Sequence, residues 1–168
     1  AFEVIEQAAA RGVDITCDRY PYIAGNTILS AILPHWAVVG EISERVERLR
    51  EGPDRQRALR ELREANVSED HWNSVMISGL STEQNRELEG LTLAEGAALR
   101  KMEPEQLVIE LFIQEEGKVE IILFSMFEDN LRRILAAPYV MIASDAGART
   151  HTGPLARGKP HPRSFETF

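Results

Sequence analysis

The sequence predicts an α/β fold with parallel strands, and three observations carry that expectation. A β-branched strand, "KVEIILF", is followed by a helix-spaced stretch, "FEDNLRRILAA", and then by a second apolar strand, "YVMIAS". Short connections in that order describe a strand–helix–strand unit whose strands lie parallel under a right-handed crossover. Near the front, "VDITCDRY" alternates Val13, Ile15 and Cys17 against Asp14, Thr16 and Asp18 until Pro21 ends the run. With 168 residues, 43% of them hydrophobic and 27% charged, the chain can bury one substantial core.

The elements follow in order. Phe2, Val4, Ile5, Ala8 and Ala9 have helical spacing, closed by Gly12, with no start methionine or cap before them. Two helices with a solvated charged face fill "EISERVERLREGPDRQRALRELREAN", broken at Gly52-Pro53, with Val46, Leu49, Leu59 and Leu62 as the apolar stripe. Thr92 and Glu95 have capping-box spacing, and Pro104 and Gly117 bracket another helix. Ser125 and Glu128 repeat that spacing before the helix that Pro138 stops. At the far end Phe165 and Phe168 have nothing after them to pack against, so the chain reads as a piece of a longer protein.

Bulk properties exclude several function classes. A net charge of −8 disfavours nonspecific binding to nucleic acid or to anionic membrane, both of which need clustered cations. No apolar run is long enough to span a bilayer. The single cysteine, Cys17, has no internal disulfide partner and fits a reducing compartment, the cytoplasm by default.

In parallel sheets ligands sit at the carboxyl ends of strands, and Asp145 ends one such strand. Tyr139, Met141, Ala143 and Asp145 share one parity, so an inward face would bring Asp145 to the mouth above a column of core side chains. Asp18 and Tyr20 end the front strand, which gives two strand tips with polar groups for one site. From the residues alone, Asp145 is better explained as a turn former than as a catalyst, Asp18 equally well as a local cap, and Cys17 better as a small buried hydrophobe than as a nucleophile or ligand. The four histidines, His35, His71, His151 and His161, show no metal-ligand spacing, and His161 in "KPHPRS" stands nearest a site. The glycines of the closing loop do not form a phosphate-binding loop. Residue chemistry thus gives a candidate pocket without a reaction.

Three segments narrow it. "GVDITCDRYPYIAGNTILSAILPHW" resembles the stretch of N-acyl-D-amino-acid deacylases in which Asp-x-Tyr-Pro-Tyr follows a barrel strand. "NLRRILAAPYVMIASDAGART" is similar to that family's closing strand, and "HPRSFETF" to its His-Pro-Arg-aromatic-Gly-Thr-Phe segment. The three occur in the family's order and cover nearly the whole chain from Gly12. Departures are Asn26 where Ser is usual, Ala143 and Ala146 where glycines are usual, and Glu166 where glycine follows the aromatic.

The resemblance implies part of a (β/α)8 TIM-type barrel of the amidohydrolase superfamily: residues 1–34 a barrel helix and strand, 35–117 an inserted, mostly helical segment that could act as a lid, and 118–168 a strand–helix–strand and active-site loop. The implied reaction is zinc-dependent cleavage of an N-acyl-D-amino acid to the D-amino acid and a carboxylate. Asp145 is the implied general base and acid beside the metal, and a candidate ligand of it. Tyr20, Asn26 and Arg163 are the implied substrate contacts, Arg163 for the α-carboxylate. The main zinc ligands would lie upstream, leaving this portion inactive alone. Its partners would be the small-molecule substrate, the remainder of the barrel, and other copies through its open edges. The alternatives are a cyclic amidase of the dihydroorotase or hydantoinase kind and a noncatalytic protein-interaction module.

Overall fold

The computed structural model describes residues 2–65, 69–165 and 167; Asn66, Glu166 and Phe168, on which expectations above fall, lie outside the described residues. The elements are α1 (Phe2–Ala10), β1 (Cys17–Arg19), β2 (Gly25–Ile28), α2 (Ile42–Arg50), α3 (Gly52–Ala65), α4 (Glu69–Asn73), β3 (Val75–Gly79), α5 (Leu93–Arg100), α6 (Pro104–Gln114), β4 (Glu120–Leu123), α7 (Glu128–Leu135) and β5 (Val140–Ile142). Helix and sheet are mixed along the chain, and no described helix is long and apolar enough to cross a membrane.

Local chemistry sets several of these boundaries. The Thr92 hydroxyl accepts the Glu95 amide at 3.2 Å while the Glu95 carboxylate accepts the Thr92 amide at 2.8 Å, which starts α5. Pro104 opens α6, where its missing N–H would have had no intrahelical partner. Between α2 and α3 the chain turns at Gly52, φ +82°. The Ser125–Glu128 box does not form; Phe127 is the N-cap of α7. The reason is that Phe124 N–H donates to Ser74 O at 2.8 Å and Met126 N–H to Ile23 O at 3.2 Å, which holds this stretch in sheet-like pairing and delays the helix.

The strands form two sheets. β4 lies between β2 and β3, antiparallel to both, so that Ile121 sits beside Thr27 and Ile77. β1 and β5 make a separate parallel pair, Cys17 beside Val140 and Arg19 beside Ile142. The expected strand–helix–strand unit is therefore corrected: β4 and β5 flank α7 but lie in different sheets, because β4 buries Ile121 and Ile122 between two partners the sequence had hidden. The three-stranded sheet is stitched from all three expected segments.

Leu29, Leu49, Leu62, Ile77, Leu93, Ile109, Phe112 and Ile121 belong to one buried cluster where α2, α3, α5 and α6 meet the sheet. The β1–β5 layer is different. Met141 is 57% and Ile142 55% exposed, so the closing strand, read as buried in the sequence, is open here. It pairs with β1 alone among the described strands, and neither face is well covered.

One buried acid fastens the helical part. Glu115, 2% exposed, accepts from the amides of Ser81 and Thr82 at 2.7 and 2.9 Å, from Asn85 Nδ2 at 2.7 Å, and from the Thr82 hydroxyl. Burial pushes its pKa up, but the bonds from Thr82, Asn85 and Ser81 outweigh it and the net shift is downward. A folded pKa below the unfolded one contributes stability above the ordinary Glu value near ~4.3, lost as pH falls through the folded pKa. Glu115→Gln is expected to cost about 1–3 kcal/mol at neutral pH and to flatten the acid limb of urea-unfolding stability below pH ~4.3.

Candidate active site

Because β1 and β5 run parallel, their carboxyl ends lie side by side, and Ala143 N–H donates to Arg19 O at 3.2 Å just beyond the last paired residues. Tyr20 and Asp145 therefore leave the same edge. Asp145 takes φ +47°, a left-handed conformation that aspartate tolerates better than most residues. Its carboxylate is 69% exposed.

Arg163 arrives from a distant loop. It lies in the short 3-10 turn Pro162–Ser164, and its side chain is 8% exposed. Its Nη1 donates to Asp145 Oδ2 at 2.9 Å, and its guanidinium carbon stands 4.7 Å from the Tyr20 ring centroid. Arg19 also lies over Tyr20, at 3.9 Å. A cation against an aromatic face is attracted by the ring quadrupole, so Tyr20 helps hold both guanidinium groups.

The loop carrying Arg163 is docked on β3. Lys159 N–H donates to Ser78 O at 2.6 Å, and Gly158, φ +77°, approaches so closely that an added Cβ would stand 2.5 Å from that same oxygen. Only glycine satisfies both demands. His161 follows, buried, with Nε2 3.0 Å from Ala24 O and Nδ1 accepting the Arg163 amide at 3.0 Å. Burial chiefly, with the Arg163 charge, holds its pKa below the ordinary value against the opposing Ala24 contact.

Beside this group opens a cavity of about 700 Å³, lined among others by Tyr22, Ile23, Met76, Ile122, Phe124 and Phe165, with His161 in its wall. Its walls are overwhelmingly apolar, the usual character of a small-molecule pocket.

The structure thus brings three of the four expected site residues together: Tyr20, Asp145 and Arg163. Asn26 makes no hydrogen bond to them; it lies on β2 beside Ile122, where its Oδ1 meets Ser78 Oγ at 3.5 Å, next to Gly25, at which an added Cβ would stand 3.4 Å from the Tyr20 hydroxyl. Arg19, Tyr22, Met76 and Phe124 were not singled out by sequence reasoning. Arg19 and Tyr22 sit inside the Asp-x-Tyr-Pro-Tyr stretch, where alternation of cation and aromatic was the available signal; Met76 lies on a strand the sequence did not reveal. Among the described residues no group of three or more His, Cys, Asp or Glu side chains could hold a metal ion. These residues alone do not fit a metal centre.

No family model and no curated protein matches this chain. Solved structures do. An N-acyl-D-glutamate deacylase from Bordetella bronchiseptica, in complex with zinc and a phosphonate mimic of the tetrahedral intermediate, matches with a TM-score of 0.60 and 23% identity over 99% of this chain and 25% of its own. A D-aminoacylase described as defining a novel subset of amidohydrolases matches with a TM-score of 0.54 and 27% identity, over 98% and 24%. A D-aminoacylase studied for its binuclear metal centre matches with 0.55 and 27%, over the same shares. The structural neighbours of this chain are N-acyl-D-glutamate deacylase and D-aminoacylase, amidohydrolases of which it spans about a quarter of the length.

Proposed function

We propose that this chain is one portion of a longer, metal-dependent N-acyl-D-amino-acid deacylase, contributing its proton-relay acid and its carboxylate clamp. The observation that carries this is the convergence of Tyr20, Asp145 and Arg163 from three stretches of sequence onto one strand edge. Arg163 is a buried planar donor with more N–H groups than Asp145 Oδ2 occupies, suited to a substrate carboxylate. Asp145, exposed and with one oxygen engaged, takes a proton from the attacking water and returns it to the departing amine. The amide C–N bond breaks, a C–O bond forms, and one water is consumed. The left-handed backbone at Asp145 is a cost that a positioned catalytic group accounts for.

The metal, zinc by the resemblance, would take its main ligands from outside the described residues, with Asp145 as this chain's candidate contribution. The remainder of a (β/α)8 barrel would pair the free edges of β1 and β5 and cover Met141 and Ile142. Residues 35–117 would serve as the lid, with Met76 already in the cavity wall. The lone Cys17 suits the cytoplasm. The lining of the apolar cavity includes His161, Pro162 and Phe165 but not Tyr20, Asp145 or Arg163, so a substrate held at Arg163 would reach it through its side chain or acyl chain, which favours an apolar chain over an acidic one.

A substrate panel on the longer protein tests this. N-acetyl-D-methionine is expected to turn over, and to exceed N-acetyl-D-glutamate, N-acetyl-L-methionine and the cyclic ureides hydantoin and dihydroorotate. This chain alone, with zinc, is expected to give no turnover. Preferential opening of a cyclic ureide would replace the deacylase reading by a cyclic amidase, and turnover by the chain alone would refute its dependence on further segments.

A further inference from the structure

We infer that His161 is a positioning residue for this site, the crosspiece that sets where the Arg163 guanidinium stands relative to Tyr20 and the start of β2. The inference rests on the deacylase reading for its kinetic consequence, though its geometry is independent of it. Nδ1 accepts the Arg163 amide, and an accepting nitrogen carries no proton, so the proton is on Nε2, which donates to Ala24 O. One neutral ring thus ties the turn bearing Arg163 to the segment entering β2.

The same ring touches both tyrosines of the Tyr-Pro-Tyr motif, edge-on, with centroids 5.0 Å from Tyr22 and 6.2 Å from Tyr20. Tyr20 is the ring on which Arg163 rests. His161 is buried, and its partner Ala24, though a buried apolar residue, does not belong to the main apolar cluster that contains Leu29, Ile77 and Ile121. Removing the imidazole therefore acts on the alignment of the site more than on the core. A three-residue turn has few bonds of its own, and the His161 side chain caps this one.

Three replacements separate positioning from bulk support. Leucine fills the volume without either hydrogen bond. Asparagine keeps an oxygen near the Nδ1 position for the Arg163 amide but does not reach Ala24, and glutamine reaches toward Ala24 without capping. In the longer enzyme, His161→Leu is expected to raise KM about tenfold or more with a smaller change in kcat, and His161→Asn to bring KM back within about threefold of the parent. His161→Asn is expected to be no more stable than His161→Leu, so recovery of KM would not follow stability. Should the leucine variant not fold, the asparagine and glutamine variants decide, with KM raised for glutamine alone. In the 168-residue chain itself, nitrogen-15 spectra are expected to show the Nε2–H tautomer. The Arg163 Nε–H signal, displaced by the Tyr20 ring, should return toward that of free arginine in His161→Leu but not in His161→Asn. Equal KM in all three variants, or an Arg163 signal indifferent to them, overturns the inference. An inactive longer protein would sink the deacylase reading, while the spectra would still decide the role of His161.

Discussion

Asp145→Asn in the longer enzyme is expected to lower kcat about 10²- to 10⁴-fold, the usual contribution of one positioned proton donor and acceptor. Asparagine has almost the same shape and keeps a carbonyl oxygen for Arg163, so the contact that places the side chain survives. What it loses is the capacity to carry a proton. The carboxylate is 69% exposed but the Arg163 side chain it faces is only 8% exposed, so the pair is half-buried; because asparagine keeps the hydrogen bond to that guanidinium, the loss of stability is expected to stay within about 1–2 kcal/mol. Steady-state kinetics with N-acetyl-D-methionine, together with thermal melts, check both halves. A variant keeping a third or more of the parental kcat would remove Asp145 from the chemistry.

The largest expected effect on stability is at Phe112. Its ring is 1% exposed on α6 and lies against the turn at Gly117, where an added Cβ would stand 3.3 Å from the ring and 2.9 Å from Ile42 Cδ1. Neighbours packed that closely on a left-handed glycine, φ +73°, have little freedom to collapse into a void. Phe112→Ala is expected to cost about 3–5 kcal/mol, transfer loss and cavity together. Domains of this kind are stable by only about 5–15 kcal/mol in total. Urea unfolding measures it as a fall in midpoint with little change in slope. A loss under about 1 kcal/mol would mean that the ring is not in a packed core.

What the sequence revealed was mostly local. The Thr92–Glu95 box, Pro104 and the break at Gly52 depend on neighbours three or four residues away, and each marks a helix boundary in the structure. The Ser125–Glu128 box has the same spacing, yet its failure was set by Ile23 and Ser74, far off in the chain. β3 was missed because "VMISG" is a short run with little alternation, burying residues of both parities, which periodicity cannot separate from a helix segment. β2, "GNTI", carries glycine and asparagine, which are poor strand formers. The partner of β4 was misread for the same reason: pairing is a nonlocal choice. Tyr20, Asp145 and Arg163 could be named as candidates because each sits in a recognisable motif, and the structure places them together. The stacking of Arg19, and the arrival of Met76 and Phe124 at one cavity, depend on how separate segments meet.

The division into a well-packed helical sheet and a thin β1–β5 layer means that the free energy of opening is not one number for this molecule. Backbone amides around Ile109 and Ile121 are expected to exchange only when the whole body comes apart, and those beside Cys17 and Met141 through small excursions of a two-strand ribbon. A substitution that weakens Phe112 can therefore leave the β1–β5 edge as it was, and a ligand that clamps that edge would slow its exchange without raising the melting point of the rest.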